Sequence, residues 1–312
     1  MSGEFTSPPL IGFLYFYTNS LLLKSMKTSI SYLPQIKQDE IWQVMDIIKE
    51  VANPEKIILF GSYARNTWVE DKYVEKGILY EYISDYDFLI ITKGDTEKEF
   101  LIIDKIINRT ENLFDTPVNA IIHDINYVNE GLEIGQYFFT DIINEGVLLL
   151  DNVSDEFAKP RVLTNLEMAE ISKNYFDKWF IDAVDFMDAI LLYQGKGKFR
   201  KATFNLHQAA EHFYNTVLLV FTGYKPKTHN LAKLRQYSKH LSQELFLLFP
   251  FSSTKSEEYH LFNLLKRGYI DARYKDDFVI TDVELETLIF KVKEMENIIE
   301  KICSEKIESF SI

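Results

Sequence analysis

Two stretches in the first half of the chain decide the fold: LFGSYARNTW at residues 59–68 and SDYDFLII at residues 84–91. Each combines a short apolar run with small or acidic residues. Residues 56–60, KIILF, have the composition of a buried β-strand and run directly into a glycine and a serine. The apolar run after the two aspartates predicts a second strand. The pattern therefore places a glycine–serine turn and an acidic pair at the ends of two strands.

The organisation of the chain follows from the patterns on either side of these stretches. From residue 36 to residue 151, helix and strand patterns alternate, which predicts an α/β domain with a small mixed sheet and one helix over 125–145. A polar segment at 152–164 is typical of a linker. Residues 165–312 carry amphipathic helical patterns, including one over 256–273, and predict an all-α bundle. Residues 1–35 are interpreted as an N-terminal extension.

Charge is distributed unevenly along the 312 residues. The formal net charge is −13, and residues 1–160 account for it with 13 basic against 26 acidic side chains. The remaining residues are balanced. A broad duplex-DNA-binding surface needs clustered lysine and arginine, so this composition argues against one. The single cysteine, Cys303, excludes an intrachain disulfide framework and favours a cytoplasmic protein.

The uncharged stretch LIGFLYFYTNSLLL at residues 10–23 is the one candidate for a targeting segment. It has no lysine or arginine before it and no small-residue cleavage site after it. Its length is also below the roughly 20 residues that a membrane-spanning helix requires. We therefore interpret residues 1–25 as an upstream extension or an extra packing segment, without membrane association.

Gly61 and Ser62 form a candidate phosphate-binding turn. A glycine at the end of a strand allows a ligand to approach the backbone closely, and the serine hydroxyl can donate a hydrogen bond to a phosphate oxygen. Arg65, one helical turn later, could contact the same phosphate, although an exposed arginine with a solvent partner fits equally well. A glycine–serine pair alone is common in loops, so this prediction depends on what lies beside it.

Asp85 and Asp87 form a candidate metal site. Residues two apart in a strand point to the same side of a sheet, so the two carboxylates are expected side by side. Two neighbouring negative charges at the start of an apolar strand are unfavourable unless a cation holds them. Mg²⁺ or Mn²⁺ suits such oxygen ligands and also binds nucleotide phosphates. The alternative is that both aspartates cap a turn and face water.

Taken together, LFGSYARNTW and SDYDFLII resemble the signature of polymerase-β-type nucleotidyltransferases, in particular the minimal group. The resemblance covers about residues 40–150 and implies that Gly61 and Ser62 bind a nucleoside triphosphate while Asp85 and Asp87 bind the metal. Members transfer a nucleoside monophosphate to an acceptor hydroxyl. The spacer between the two motifs is longer than the minimal group has, so residues 66–84 are interpreted as an inserted hairpin or loop.

The resemblance also implies a third carboxylate on the next strand, and here the chain departs from the family. The matching position in PVNAIIHD, residues 117–124, is Asn119. An amide oxygen can ligate a metal, but it cannot accept a proton as a general base. The departure predicts weak transfer or a site that needs help from elsewhere in the chain. It also leaves open a catalytically degenerate nucleotide-binding or regulatory module.

The second half, about residues 165–308, resembles HEPN domains. Many HEPN proteins are ribonucleases with an arginine, a histidine five positions later and often a tyrosine two beyond it. Arg267 and Tyr274 occupy the outer positions, whereas Ala272 stands where the histidine would be. Ribonuclease activity is therefore not expected. Arg267, Tyr274 and Arg273 could still form a binding surface; the alternative is that Arg273 simply pairs with a nearby aspartate.

The two resemblances together predict an Mg²⁺-dependent nucleotidyltransferase that uses ATP or another nucleoside triphosphate. The acceptor hydroxyl would belong to a protein, an RNA or a small molecule, and aminoglycoside-type nucleotidyltransferases are one alternative. Pairs of these families in toxin–antitoxin systems imply that Tyr274 could itself be an acceptor. The resemblance to HEPN domains, whose helices commonly pair, also implies a homodimer through the helical domain.

Overall fold

A computed structural model of the protein describes residues 26–75, 78–94, 99–152, 155–250 and 256–310, with the backbone alone described for 71–82. The interpretation of residues 1–25 lies outside these ranges. None of the helices in the described part of the chain is long and apolar enough to cross a membrane.

The first half is built on a small mixed sheet. Its strands, in chain order, are β1 (Lys56–Phe60), β4 (Tyr86–Thr92), β5 (Val118–Asp124) and β6 (Val147–Asp151), with the hairpin strands β2 (Glu70–Glu75) and β3 (Ile78–Ile83) forming a separate two-stranded sheet. The order across the main sheet is β5-β4-β1-β6. Strand β1 runs antiparallel to β4 and β6, whereas β4 and β5 are parallel. The prediction of a small mixed sheet is confirmed.

In the described part of the chain, the helices around this sheet are α1 (Gln35–Ala52), α2 (Gly61–Arg65), α3 (Glu99–Thr110), α4 (Ile125–Glu133) and α5 (Tyr137–Glu145). Alternation along the strands divides the apolar side chains between two cores. Phe88 and Ile90 of β4 face the core formed with α1 and α3. Leu89 and Ile91 face the core formed with α4 and α5. Asp87 shares the parity of Leu89 and Ile91, so it points to the α4–α5 side.

Residues 26–34, part of the segment interpreted as an extension, pack against this α/β region. Ile30 and Leu33 are buried in the core beneath α1, and Lys27 forms an isolated parallel bridge with Val147 of β6. The ordered α/β region therefore starts before residue 36. Buried apolar side chains in a short segment are difficult to recognise from sequence because the segment has no helical or strand periodicity.

The prediction of one helix over residues 125–145 is wrong. Helix α4 ends at Glu133, and α5 starts at Tyr137. Gly135 between them has a φ of +80°, a conformation that ends the helical path, and a Cβ there would lie 2.8 Å from Leu163. The break turns α5 so that Phe139 packs beneath the sheet.

The second half is helical, as predicted. Its helices are α6 (Asn165–Gln194), α7 (Phe199–Thr222), α8 (Leu231–Ser238), α9 (Gln243–Leu247), α10 (Glu257–Arg267), α11 (Asp271–Tyr274) and α12 (Asp282–Ser309). Helix α7 is the most buried and packs against α6 and α12. Cys303 is buried in the same core, where desolvation raises the pKa of its thiol. Its burial agrees with a packing role.

Two features of the helical half differ from the sequence-based expectation. The helix predicted over 256–273 is divided, because Gly268 follows α10 and approaches α7 closely: a Cβ there would lie 2.7 Å from the Thr203 carbonyl oxygen. The short helix α9 was not predicted. Its five residues are too few to establish a periodic pattern.

The two halves are in direct contact. Tyr137 donates hydrogen bonds to the carbonyl oxygens of Leu219 and Val220, both at 2.8 Å. His123 and Tyr224 share a buried hydrogen bond of 2.9 Å. Within the predicted linker, the Arg161 amide donates to the Leu132 carbonyl at 2.9 Å. These contacts position the start of α8 over the sheet.

Gly223, at the end of α7, tests how tightly this interface is packed. Its φ is +68°, and a Cβ would lie 2.9 Å from the Tyr137 ring. We expect Gly223→Ala to lower the free energy of unfolding by about 2–4 kcal/mol, since both backbone strain and a steric clash contribute. Urea unfolding measures it.

Gly197 provides the matched control for this substitution. It has a similar φ of +65°, but no atom lies within 4 Å of its Cβ position. Gly197→Ala should therefore cost only the strain of the left-handed conformation, about 1 kcal/mol. Equal losses for the two variants would contradict a close contact between Gly223 and Tyr137.

Candidate functional site

The sheet register brings the two sequence motifs together. Asp87 lies opposite Phe60 of β1 on one side and Asn119 of β5 on the other. Asp85 lies just before β4. The Asn119 amide nitrogen is 3.0 Å from Asp85 Oδ2 and 3.2 Å from Asp87 Oδ1, so one amide group donates to both carboxylates. The three side chains therefore form one cluster at the end of the sheet where β4 and β5 begin.

Gly61 packs directly against this cluster. It follows β1 with a φ of +74°, and a Cβ built on it would lie 2.3 Å from Asp87 Oδ2. Any side chain at position 61 would therefore displace the Asp87 carboxylate. Ser62, the next residue, lines the same cleft as the two aspartates. The glycine that the sequence analysis assigned to close ligand approach also makes room for a carboxylate.

The two carboxylates do not have ordinary acidity. Burial, with the neighbouring Asp85 charge as the second cause, raises the pKa of Asp87 to about 7. Burial also raises the pKa of Asp85, opposed by the Lys239 charge and by hydrogen bonds from Gln236 and Asn119. Two desolvated negative charges this close favour the binding of a proton or a cation.

The helical half contributes residues that the sequence analysis did not identify, among them Gln236, Tyr237 and Lys239. Gln236 donates a hydrogen bond from Nε2 to Asp85 Oδ2. Lys239 donates to the Ile83 carbonyl at 2.6 Å, and its Nζ is 3.9 Å from Asp85 Oδ1. Burial and the Asp87 charge raise the pKa of Tyr237 to about 12. Nothing in the local pattern of α8 indicates this role, because it arises from the contact between the halves.

These groups surround a cleft of ≈ 310 Å³ between the two halves. The lining includes the two carboxylates, Asn119 and Ser62. It also includes apolar and aromatic side chains, from Phe60, Ile121, Phe138, Leu218, Tyr224 and Pro226. Phe138 and Tyr224 stack on each other with ring centroids 4.3 Å apart. A cleft lined by both charged and aromatic side chains can accept an amphipathic molecule such as a nucleotide.

Arg65 lies in this cleft with a protein partner. Its Nη1 is 3.2 Å from Glu145 Oε2, and its charge lowers the pKa values of both Asp87 and Asp141. Asp141 nevertheless has a pKa raised to about 7, because burial and the Glu145 charge outweigh that effect. The Arg65 charge thus acts on carboxylates of two acidic pairs. One pair is Asp85 and Asp87, the candidate metal ligands, and the other is Asp141 and Glu145.

The segment interpreted as an insertion contains the β2–β3 hairpin. Thr67, Val69 and Ser84 at its base line the cleft. Trp68 stacks on Tyr63 with ring centroids 5.3 Å apart, which agrees with packing of the insertion onto the domain. The side chains of Tyr73, Tyr80 and Tyr82, considered for base stacking, lie outside the described residues.

Arg267 and Tyr274 are not among the residues that line the cleft. Arg267 Nε is 2.6 Å from Asp271 Oδ2, and Lys275 contacts the same carboxylate at 3.0 Å. Tyr274 is 73% exposed. Within the part of the chain that the structure describes, Arg273 pairs with no aspartate, the alternative that the sequence suggested; it lies over the rings of Phe204, Tyr269 and Tyr274. These residues form a separate surface.

The donor set of the cleft fits a hard divalent cation. Asp85 and Asp87 offer carboxylate oxygens, and Asn119 can offer its carbonyl oxygen once its amide rotates. Asp85 Oδ1 is buried and has no hydrogen-bond partner among the described residues. No group of three or more His, Cys, Asp and Glu side chains in the described ranges is placed to hold a metal. A metal here therefore needs further ligands from phosphate or water.

The raised pKa of Asp87 predicts a pH-dependent stability in metal-free solution. Between about pH 3.8 and pH 7 the folded protein binds the Asp87 proton and the unfolded chain releases it, so stability falls as the pH rises. Asp87→Asn removes this loss. We expect the variant to be more stable than wild type at pH 8 in EDTA, by up to about 4 kcal/mol, and nearly equal at pH 4.

Urea unfolding at the two pH values measures this difference. Asp46→Asn is the control, because the Asp46 side chain is 80% exposed and far less desolvated. Its stability relative to wild type should not depend on pH in this way. An Asp87→Asn variant that is less stable than wild type at pH 8 would contradict the desolvation of this carboxylate.

Comparison with known proteins agrees with the helical half of this description. No curated protein matches the chain. A protein-family model described as HEPN domain matches residues 176–302, from within α6 to within α12. That match leaves the α/β region uncovered, where the resemblance to nucleotidyltransferases remains a prediction. Residues 176–302 are thus a HEPN domain, and the cleft lies where this domain meets the α/β region.

Proposed function

We propose that the protein is an Mg²⁺-dependent nucleotidyltransferase that moves a nucleoside monophosphate from a nucleoside triphosphate, ATP in the first instance, to an acceptor hydroxyl. One observation carries the proposal: the Asp85–Asp87 pair lies against the Gly61–Ser62 turn inside a cleft. A phosphate-binding turn and a divalent-cation site in direct contact are the two elements that such a transfer requires.

The chain's own residues would each have a defined part. Gly61 and Ser62 would bind the β- and γ-phosphates through the backbone and the hydroxyl. Asp85 and Asp87 would hold Mg²⁺ or Mn²⁺. A bound ion would supply charge neutralisation at the α-phosphate. In the transfer, the acceptor oxygen would bond to the α-phosphorus while the bond from that phosphorus to the oxygen bridging to the β-phosphate breaks, which releases pyrophosphate.

The acceptor proton needs a destination other than Asn119, since an amide is not a base at neutral pH. Asp141 and Glu145 also line the cleft, and a carboxyl with a pKa of about 7, such as Asp141, suits proton transfer at physiological pH. Arg65, which pairs with Glu145, would hold the Glu145 carboxylate in place on this side of the cleft. Asp141 is therefore the first residue to test for this role.

A second candidate function is nucleotide binding without transfer. It is favoured by Asn119, whose amide group already satisfies one oxygen of each carboxylate without a metal. An aminoglycoside-type acceptor remains within the first proposal, as do a protein and an RNA. If the acceptor is Tyr274, the tyrosine must come from another copy, because Tyr274 lies outside the cleft of its own chain.

Replacing Asp87 tests the proposal directly. We expect Asp87→Asn to reduce transfer from α-labelled ATP in the presence of Mg²⁺ by about 100-fold or more, since the lost charge stabilises the metal and the transition state. Release of pyrophosphate and mass spectrometry of the chain and of added acceptors provide the measurement. Asp46→Asn, on the exposed face of α1, should transfer at the wild-type rate.

Calorimetry with ATP and Mg²⁺ distinguishes the two candidate functions. Saturable binding with no pyrophosphate release on any acceptor class would favour the non-catalytic module. Absence of nucleotide binding, in wild-type protein whose fold is verified by circular dichroism, would reject both.

A further inference from the structure

We propose that Gln236, in the HEPN domain, is a positioning residue for the metal ligand Asp85 of the α/β region, so that the metal site is complete only when both parts of the chain are in contact. This inference rests on the proposed function, because it takes Asp85 and Asp87 to be the metal-binding carboxylates. It adds a residue from outside the α/β region, in a helix that neither sequence motif includes.

The first step concerns the two oxygens of Asp85. Oδ2 accepts hydrogen bonds from Gln236 Nε2 and from Asn119 Nδ2. Oδ1 is buried without a hydrogen-bond partner among the described residues, and the Lys239 ammonium group lies 3.9 Å away. The side chain as a whole is 9% exposed. Two donors on one oxygen fix the rotation of the carboxylate and leave the other oxygen for a cation.

The second step concerns how differently the two aspartates are held. Asp87 lies within β4, between β1 and β5, with its carboxylate against Gly61. Asp85 precedes the strand, at the point where the chain leaves the hairpin. Its orientation therefore depends on side-chain partners rather than on the ladder. Gln236 supplies the partner that comes from the other half of the protein.

The third step is that α8 presents Gln236 rigidly. Leu234 of this helix is fully buried in the HEPN core. Arg235 donates hydrogen bonds to the carbonyl oxygens of Phe246 and Phe249 at 2.9 and 3.0 Å. Lys239, just beyond the helix, donates to the Ile83 carbonyl at 2.6 Å. Gln236 is thus bracketed by contacts on both sides of the interface.

The chemistry of the amide also suits this position. A neutral donor orients a carboxylate without competing electrostatically with a divalent cation, whereas a charged donor at the same distance would repel it. Outer-shell hydrogen bonds of this kind typically change metal affinity by about 10- to 100-fold when they are removed. Gln236 should therefore have a measurable effect on metal binding even though it does not contact the ion.

Titration of the full-length protein with Mn²⁺, followed by electron paramagnetic resonance without nucleotide, tests the inference. We expect Gln236→Leu to raise the dissociation constant for Mn²⁺ by about 10-fold or more. Gln236→Asn, which keeps the amide but is one methylene shorter, should also bind more weakly. Lys233→Met is the matched control, because Lys233 lies on the same helix and pairs across the same interface with Asp104 at 3.0 Å. The dissociation constant of this variant for Mn²⁺ should stay within about twofold of wild type.

Two further measurements separate positioning from a general structural role. In EDTA both Gln236 variants should melt only a few degrees below wild type, because one hydrogen bond to a buried carboxylate is lost, so the protein stays folded at the temperature of the Mn²⁺ titration. Where transfer is detected, saturating Mn²⁺ should restore most of the rate of the Gln236 variants, because only the occupancy of the site is reduced. Failure of saturating Mn²⁺ to restore the rate would assign Gln236 a structural role and overturn the inference.

The outcomes also distinguish this inference from the proposed function. Wild-type protein that binds Mn²⁺ while both Gln236 variants bind it equally well would overturn the inference alone. Wild-type protein that does not bind Mn²⁺ would overturn the metal site and the inference together. Weaker binding in the Gln236 variants, in protein that transfers no nucleotide, would support the inference and count against the enzyme.

Discussion

The electrostatic repulsion between Asp85 and Asp87 is the constraint on which the rest of the site depends. Burial raises the pKa of both carboxylates, and the Asp85 charge raises that of Asp87 further. A folded protein can retain such a pair only by surrounding it with donors, a proton or a cation. Asn119 supplies one donor to both carboxylates, and the HEPN domain supplies the Gln236 amide and the Lys239 charge. The helical domain thus contributes directly to the electrostatic environment of the two carboxylates.

The same constraint explains the conformation of the first motif. The Asp87 carboxylate lies where a side chain on residue 61 would have to be, so β1 must be followed by a residue without a Cβ. A left-handed glycine also turns the chain into α2 and carries Arg65 towards Glu145. One residue therefore serves the packing of the carboxylate, the geometry of the turn and the approach of a ligand. This is why the two motifs are informative together and weak apart.

The sequence predicts some features of this protein and not others for identifiable physical reasons. Alternation along a strand reports which face a residue occupies, so the placement of Asn119 opposite Val118 and Ala120 was predictable. The break at Gly135 was not, because a tolerated glycine within a helical pattern looks the same until its φ is known. The involvement of Gln236 was beyond local pattern analysis altogether. It depends on a contact between residues 151 positions apart in the chain.

The charge asymmetry of the chain acquires a structural meaning at the interface. The segment from Lys227 to Lys239 places three lysines against acids of the α/β region: Lys227 near Glu99, Lys233 near Asp104 and Lys239 near Asp85. Each of the first two pairs has one partner that is more than half exposed, so each contributes little to stability but favours one orientation of the segment. The third lies in the cleft, where water is largely excluded and a charge acts more strongly on its neighbour. The two outer pairs orient α8, and that orientation brings Gln236 and Lys239 to the desolvated carboxylate at the centre.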